Sequence, residues 1–301
     1  MKALFCTDGS EISFFAIDNI QSYCENLEVD ILCVIDWHFF PMYTSYPEQD
    51  YINTYEELAN NVLNLAASTI QEKGYKVCEL KKAWGSASEE ILKHTKKTKY
   101  DLIILGSHGK KGIKNWLGSV SRKVVNQAKE PIFISKESTL NKKVLLTADG
   151  SEGSKFAIKK ALSLLNLAGK EINIITVMED INNLPLEITS NKEWFNDYLK
   201  KRNSFSQNVL RETHNTLKEH NLEAHNEFSL IGSPSTAIIN TIEKENIDLV
   251  VLGSRSKDRI SEFLLGSTSK RVLENVKSSV LIISPPEEEN LNLQNEILDE
   301  N

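Results

Sequence analysis

Short apolar runs alternate along this chain with longer stretches in which apolar residues return every three or four positions. The run Ala3-Leu4-Phe5-Cys6 predicts a strand, and the spacing of Ile12, Ala16, Ile20, Tyr23 and Leu27 predicts a helix after it. Ile31 to Ile35 reads as a second strand, and Tyr75 to Trp84 as a third. Between them Glu56 to Glu72 reads as a helix with Leu58, Val62, Leu65 and Ala66 along one side. A helix over Ser88 to Lys97, a strand over Leu102 to Leu105, a helix over Ser119 to Ala128 and a strand over Pro131 to Ser135 complete the set. The same succession returns between Val144 and Ile283. Strands that are apolar throughout, alternating with amphipathic helices, predict an α/β fold: a doubly wound parallel sheet covered on both faces, with right-handed crossovers.

The return is a sequence repeat. DGSEISFFAI at Asp8 and DGSEGSKFAI at Asp149 agree at eight of ten positions, DLIILGS at Asp101 answers DLVVLGS at Asp248, and LGSVSRKVV at Leu117 answers LGSTSKRVL at Leu265. The offset grows from 141 to 147 at Gly85 and Gly232, then to 148 after the glycine-rich loop, so length changes fall in connections. The polar stretch Lys136 to Asn141 joins the copies. This sets one domain at 1–136, a linker at 137–141 and a second domain at 142–286. The tail 287–301 has six acids and no base, a composition that predicts disorder, with partner binding as the alternative.

Composition narrows the class. With 301 residues, 40% hydrophobic and 26% charged, the chain has the make-up of a soluble globular protein of two domains. No apolar run approaches the roughly 18 residues of a membrane span, and MKALFCTDGS lacks a signal-peptide core, so a cytoplasmic protein is expected. A net charge of −7 offers no global footprint for nucleic acid. Cys6, Cys24, Cys33 and Cys78 show no CxxC spacing and sit mostly in apolar segments, as reduced, buried thiols do. The six histidines give no zinc-binding spacing, so no metal site is expected.

In a doubly wound sheet, ligands bind beyond the carboxyl ends of the strands, where strand order reverses. Asp8 and Gly9, Asp36, Gly85 and the loop LGSHGKKGIKNWLGS all follow strands there. Gly106, Gly109 and Gly118 let backbone approach a ligand, and Ser119 and Ser121 open a helix whose N–H groups suit an anion. Equally, Ser119 caps that helix and the glycines turn the chain. Asp8 either accepts from a ribose hydroxyl or caps the helix that begins near Ser10. GxxxxGK[ST], GxGxxG and GxSxG are absent, which disfavours P-loop hydrolysis, the common dinucleotide fingerprint and acyl transfer. No catalytic residue is identified.

These features carry a resemblance. The strand ends TDGS and ADGS, the ends CVID and TVME, the turns WGSASEEI and IGSPSTAI and the glycine loops resemble a tandem universal stress protein, two copies covering nearly all of residues 1 to 284. The resemblance implies two five-stranded parallel-sheet domains, Rossmann-like and of the adenine nucleotide alpha hydrolase-like type. It also implies ATP or AMP as ligand, with Mg²⁺ on the phosphates, and a regulatory role in the stress response with little or no catalysis. Asp8 and Asp149 would lie beside the nucleoside, and Val34 and Val177 would offer backbone to adenine. Gly106, Gly109, Gly118, Ser119 and Ser121 would surround the phosphates in copy one, and Gly253, Gly266, Ser267 and Ser269 in copy two. Each copy departs once from the family loop of Gly, two residues, Gly, nine residues, then Gly-Ser or Gly-Thr. Copy one has eight residues, Lys110 to Leu117, and copy two has Ser256 in place of the second glycine. Lys110, Lys111, Lys114, Arg255, Lys257 and Arg259 are supplementary cations or plain solvated surface.

The alternative function is a nucleotide-independent scaffold acting through protein contacts. An ATP-using enzyme of the related superfamily is disfavoured because its SGGxDS and HIGH-type motifs are absent. The aromatic stretch from Trp37 to Tyr55 reads as a connection packing on its own domain, or as a lid or interdomain contact. Family domains pair through the last strand, here PIFIS and SVLII. An intramolecular pseudo-dimer is therefore expected, with a homodimer of the whole chain left open.

Overall fold

The computed structural model describes residues 1–36, 49–107, 117–136, 142–180, 192–254 and 265–285. The linker, the acidic tail, and Gly109 with the basic residues of both glycine loops lie outside them. The chain divides into two compact units. Among the described residues, unit 1 takes 1–136 and 279–282, and unit 2 takes the rest from 142 onward.

Unit 1 runs β1 (Lys2–Thr7), α1 (Glu11–Gln21), β2 (Glu28–Ile35), α2 (Gln49–Glu72), β3 (Lys76–Trp84), α3 (Ala87–Lys97), β4 (Leu102–Gly106), α4 (Ser119–Gln127) and β5 (Ile132–Ser135). The strands lie parallel in the order β3-β2-β1-β4-β5. Leu4, Phe5, Ile31, Leu32, Ile103 and Ile104 are at most 1% exposed, which is why these strands are apolar on both faces. The chain steps outward from β1 through β2 to β3, then returns to β4 and β5. Right-handed crossovers therefore put α1 and α2 on one face and α3 and α4 on the other. α1 lies over β4 and β5, and α2 over β2 and β3. Val280, Leu281 and Ile282, from the strand β10 (Ser279–Ile283), pair antiparallel with Ile134, Phe133 and Ile132 of β5 in this unit.

Unit 2 repeats the plan with β6 (Lys143–Thr147), α5 (Glu152–Leu164), β7 (Glu171–Met178), α6 (Lys192–Glu219), β8 (Ala224–Ile231), α7 (Pro234–Glu245), β9 (Leu249–Gly253) and α8 (Ser267–Asn275). Its parallel order is β8-β7-β6-β9. The amide of Ser254, just after β9, donates to the carbonyl of Ile283 at 2.9 Å, as Ser107 does to Ser135 in unit 1. The repeat extends to irregularities. The register shifts once between Val29 and Asp30 and once at the equivalent Ile172 and Asn173. The left-handed turn after α2 is Gly74, and after α6 it is Asn221, the two residue types that tolerate positive φ best.

Three expectations change. α2 begins at Gln49, so the last seven residues of the aromatic stretch are its first two turns; Trp37 and the residues to 48 lie outside the described segments. Its buried face is Ala59, Leu63, Ala66 and Ile70, while Leu58 and Leu65 are more than half exposed. The small Ala59 and Ala66 let the helix axis come close to the sheet, and the bulkier neighbouring stripe turns outward. α1 stops at Gln21, so Tyr23 and Leu27 reach the core from the connection after it. Finally, Cys78 is exposed on the outer strand β3, whereas Cys6, Cys24 and Cys33 are buried. Among the described residues no helix is long and apolar enough to cross a membrane.

Candidate functional site

Strand order reverses between β1 and β4 in unit 1 and between β6 and β9 in unit 2, so the crevice opens beyond these strands' carboxyl ends. The register of Cys6 with Leu105 sets Gly106 level with the end of β1 and Asp8 just past it. Asp8 Oδ1 accepts from the amide of Ser10 at 3.0 Å, and Asp149 Oδ1 accepts from Ser151 N at 2.9 Å and its hydroxyl at 2.5 Å. Gly9 and Gly150 complete each turn at φ 76° and 78°, a backbone region costly for any side chain.

The helix caps are other residues. Ser10 accepts from Ser13 N at 3.4 Å and Ser151 from Ser154 N at 3.2 Å. Asp8 and Asp149 are therefore not the caps; they are exposed and stand beside the capped helix start. A relay missed by sequence reasoning stiffens the turn. In unit 1 Thr7 Oγ1 lies 2.7 Å from Ser13 Oγ and accepts from Gly9 N at 3.0 Å; in unit 2, where Ala148 stands in place of Thr7, Ser154 Oγ accepts from Asp149 N at 3.4 Å and donates to the Ser151 carbonyl at 3.0 Å. The identity of Ser13 and Ser154 in both copies of DGSExS was its only signal.

Val34 and Val177 are placed by strand alternation. The amide of Gly85 donates to the Ile35 carbonyl and that of Gly232 to the Met178 carbonyl, so both carbonyls point toward the outer strands β3 and β8. The peptide groups of Val34 and Val177, one residue earlier, consequently face the β1 and β6 side. Pairing there stops at Thr7 with Cys33 and at Thr147 with Ile175. Both valines thus present backbone to the space beyond the shorter strand.

At the opposite wall, the N-caps of α4 and α8 are Gly118 and Gly266, neither making a side-chain cap bond, and no acid lies in either first turn. Ser119 and Ser267 are the first helical residues, which removes the reading of Ser119 as the cap. The amides of Ser119, Val120 and Ser121 precede the first intrahelical bond, Arg122 N to Gly118 O, and give an anion-seeking helix end. Ser121 and Ser269 do something else: their hydroxyls donate to the carbonyls of Gly106 at 2.8 Å and Gly253 at 2.6 Å. They tie the helix start to the strand end, as do the bonds of Gly118 N to Ser107 O at 2.7 Å and Gly266 N to Ser254 O at 2.6 Å. Gly106 has a packing reason to be glycine, since a Cβ there would lie 3.2 Å from the backbone of Ile12 and Ser13. At Gly253 the nearest atom, the Gly153 carbonyl oxygen, would be 3.5 Å away, an ordinary contact.

Each crevice therefore gathers a carboxylate, an unpaired strand edge and an uncapped helix end. That set suits a ligand with hydroxyls, a hydrogen-bonding ring and a phosphate. Among the described residues no group of three or more His, Cys, Asp or Glu is arranged to hold a metal ion.

The universal stress protein family model matches residues 1–136 and again 140–284. A universal stress protein of Methanocaldococcus jannaschii is 29% identical over 157 residues, covering 52% of this chain and 90% of that protein. A longer one, from Synechocystis, is 26% identical over 226 residues, covering 74% of this chain and 71% of its own. Among solved structures, a universal stress protein from Archaeoglobus fulgidus has TM-score 0.66 at 24% identity, covering 95% of this chain and 97% of its own, a likeness of fold.

Proposed function

The chain belongs to the universal stress protein family, twice over, and on that premise we propose that it is an adenine-nucleotide-binding regulatory protein with little or no turnover. The observation that carries the proposal is the repeated crevice. Asp8 or Asp149 would accept from the ribose hydroxyls, the peptide groups of Val34 or Val177 would meet the adenine edge, and the amides at the start of α4 or α8 would take the phosphates. ATP or AMP fits this order of groups, with Mg²⁺ riding on the phosphates of ATP. Occupancy would change protein contacts under stress. The location we propose is the cytoplasm. The two repeats would form an intramolecular pseudo-dimer through their last strands, a reading supported by the antiparallel ladder of β10 with β5 inside unit 1.

The departures in the two glycine loops favour a second reading, a scaffold that works without nucleotide. One experiment separates them. The purified chain is incubated with ATP, desalted and denatured, and the released nucleotide is measured beside a Gly118→Trp/Gly266→Trp variant. Adenine nucleotide retained by the parent and lost from the variant is expected. Equal amounts in both, including none, would leave the scaffold reading standing.

A further inference from the structure

In unit 2 one face of α6 meets the turn after β6. Trp194, Tyr198, Arg202, Phe205 and Val209 fall on one face of α6 at helical spacing. Its lower end rests on the turn that holds Asp149: a Cβ on Gly150 would lie 2.8 Å from both Phe205 Cζ and Val209 Cγ2. Its middle is pinned to the end of β7, because Arg202 Nη2 donates to the carbonyl of Glu179, two residues beyond Val177. The Arg202 guanidinium lies 5.5 Å from the centre of the Tyr198 ring, which stacks on Trp194 at 5.1 Å and 10°. Val209 is buried by this arrangement, but Phe205 remains 50% exposed. A half-bare ring thus stands against the Asp149–Gly150 turn, on a helix fixed to the strand whose edge Val177 presents. At the matching offset of 147 unit 1 has Tyr51, Tyr55 and Leu58 in place of Tyr198, Arg202 and Phe205.

Resting on the nucleotide reading above, we propose that Phe205 is the base-stacking residue of unit 2 and makes that site select purine over pyrimidine nucleotides. A ribose held at Asp149 puts its base within reach of the neighbouring ring, and a π face rewards the larger overlap of a bicyclic base. Arg202 is a positioning residue: it holds α6 to β7, and so holds the ring over the turn. Leu58, the sequence counterpart of Phe205 in unit 1, has no π face, so unit 1 discriminates less.

The test uses the full chain with unit 1 closed by Gly118→Trp, titrated with ATP and with CTP. ATP should bind about tenfold or more tightly than CTP. Phe205→Leu, which installs the residue of unit 1 and keeps bulk against Gly150, should weaken ATP roughly five- to hundredfold and collapse the ratio. Phe205→Tyr should preserve both. Unchanged affinity and ratio in Phe205→Leu would overturn the proposal. So would a Gly118→Trp chain that binds nothing while the unmodified chain binds, an outcome that leaves the nucleotide reading intact. An unmodified chain that binds no nucleotide removes both.

Discussion

Replacing Lys81 by methionine would strand a buried charge. Asp30, on β2, has a side chain with no exposure, and its Oδ2 collects Tyr100 OH at 2.8 Å, Lys81 Nζ at 2.9 Å and Lys2 Nζ at 3.3 Å. Its Oδ1 has no hydrogen-bond partner among the described residues. Lys81 is the better buried of the two lysines, with 14% of its side chain exposed against 34% for Lys2. Breaking a buried pair costs about 3–5 kcal/mol, and because Lys2 remains the lower end applies, about 3 kcal/mol. For a unit of this size that corresponds to a fall in melting temperature of roughly 10 °C. Unit 2 shows the repair: Asn173, Phe228 and Ile247 stand where Asp30, Lys81 and Tyr100 stand, and Asn226 donates to Asn173 Oδ1 at 2.8 Å. The double variant Asp30→Asn/Lys81→Phe should therefore return to within about 1 kcal/mol of the parent. Urea denaturation of the full chain at pH 7 reads both. A Lys81→Met transition within about 0.5 kcal/mol of the parent would refute the argument.

Three further outcomes follow from the same structure. Burial pushes the Asp30 carboxyl up, but hydrogen bonds from Lys81, Tyr100 and Lys2 outweigh it and hold the group below its usual range. A depressed folded value gives stability that is present above about pH 4 and lost as pH falls through that value. Asp30→Asn should thus flatten the acid limb of a stability–pH profile, and an unchanged limb would contradict the assignment. Gly106→Ala should destabilise unit 1 by about 1–3 kcal/mol through its 3.2 Å contacts with the α1 backbone, whereas Gly253→Ala should stay within about 0.5 kcal/mol in the same urea denaturation. A thiol reagent should label Cys78 alone in the native protein, with Cys6, Cys24 and Cys33 reacting only on unfolding; burial pushes the Cys24 thiol up to about 12.

The sheet was legible because buried parallel strands must be apolar on both faces, and the repeat supplied each strand twice. The direction of α2 was not. Its sequence carries two apolar stripes one residue apart, and the choice of Ala59, Leu63, Ala66 and Ile70 over Leu58 and Leu65 depends on how near the sheet allows the helix to come. The turns after β1 and β6 were visible in DGSE, but the division of labour within them was not, since Asp and Ser are both good caps and only geometry assigns the cap to Ser10 and Ser151. Ser121 and Ser269 were singled out as phosphate ligands, yet the carbonyl each one meets lies 15 or 16 residues back, a partner no local pattern reveals. Phe205 gave no signal at all, because its place over Gly150 follows from the path of α6 across unit 2.

The central claim is that the repeated crevice holds an adenine nucleotide. Isothermal titration of the full, nucleotide-free chain with ATP tests it most directly. Saturable binding of one or two nucleotides per chain is expected, weakened when Gly118 and Gly266 are replaced by tryptophan. A flat titration would contradict it.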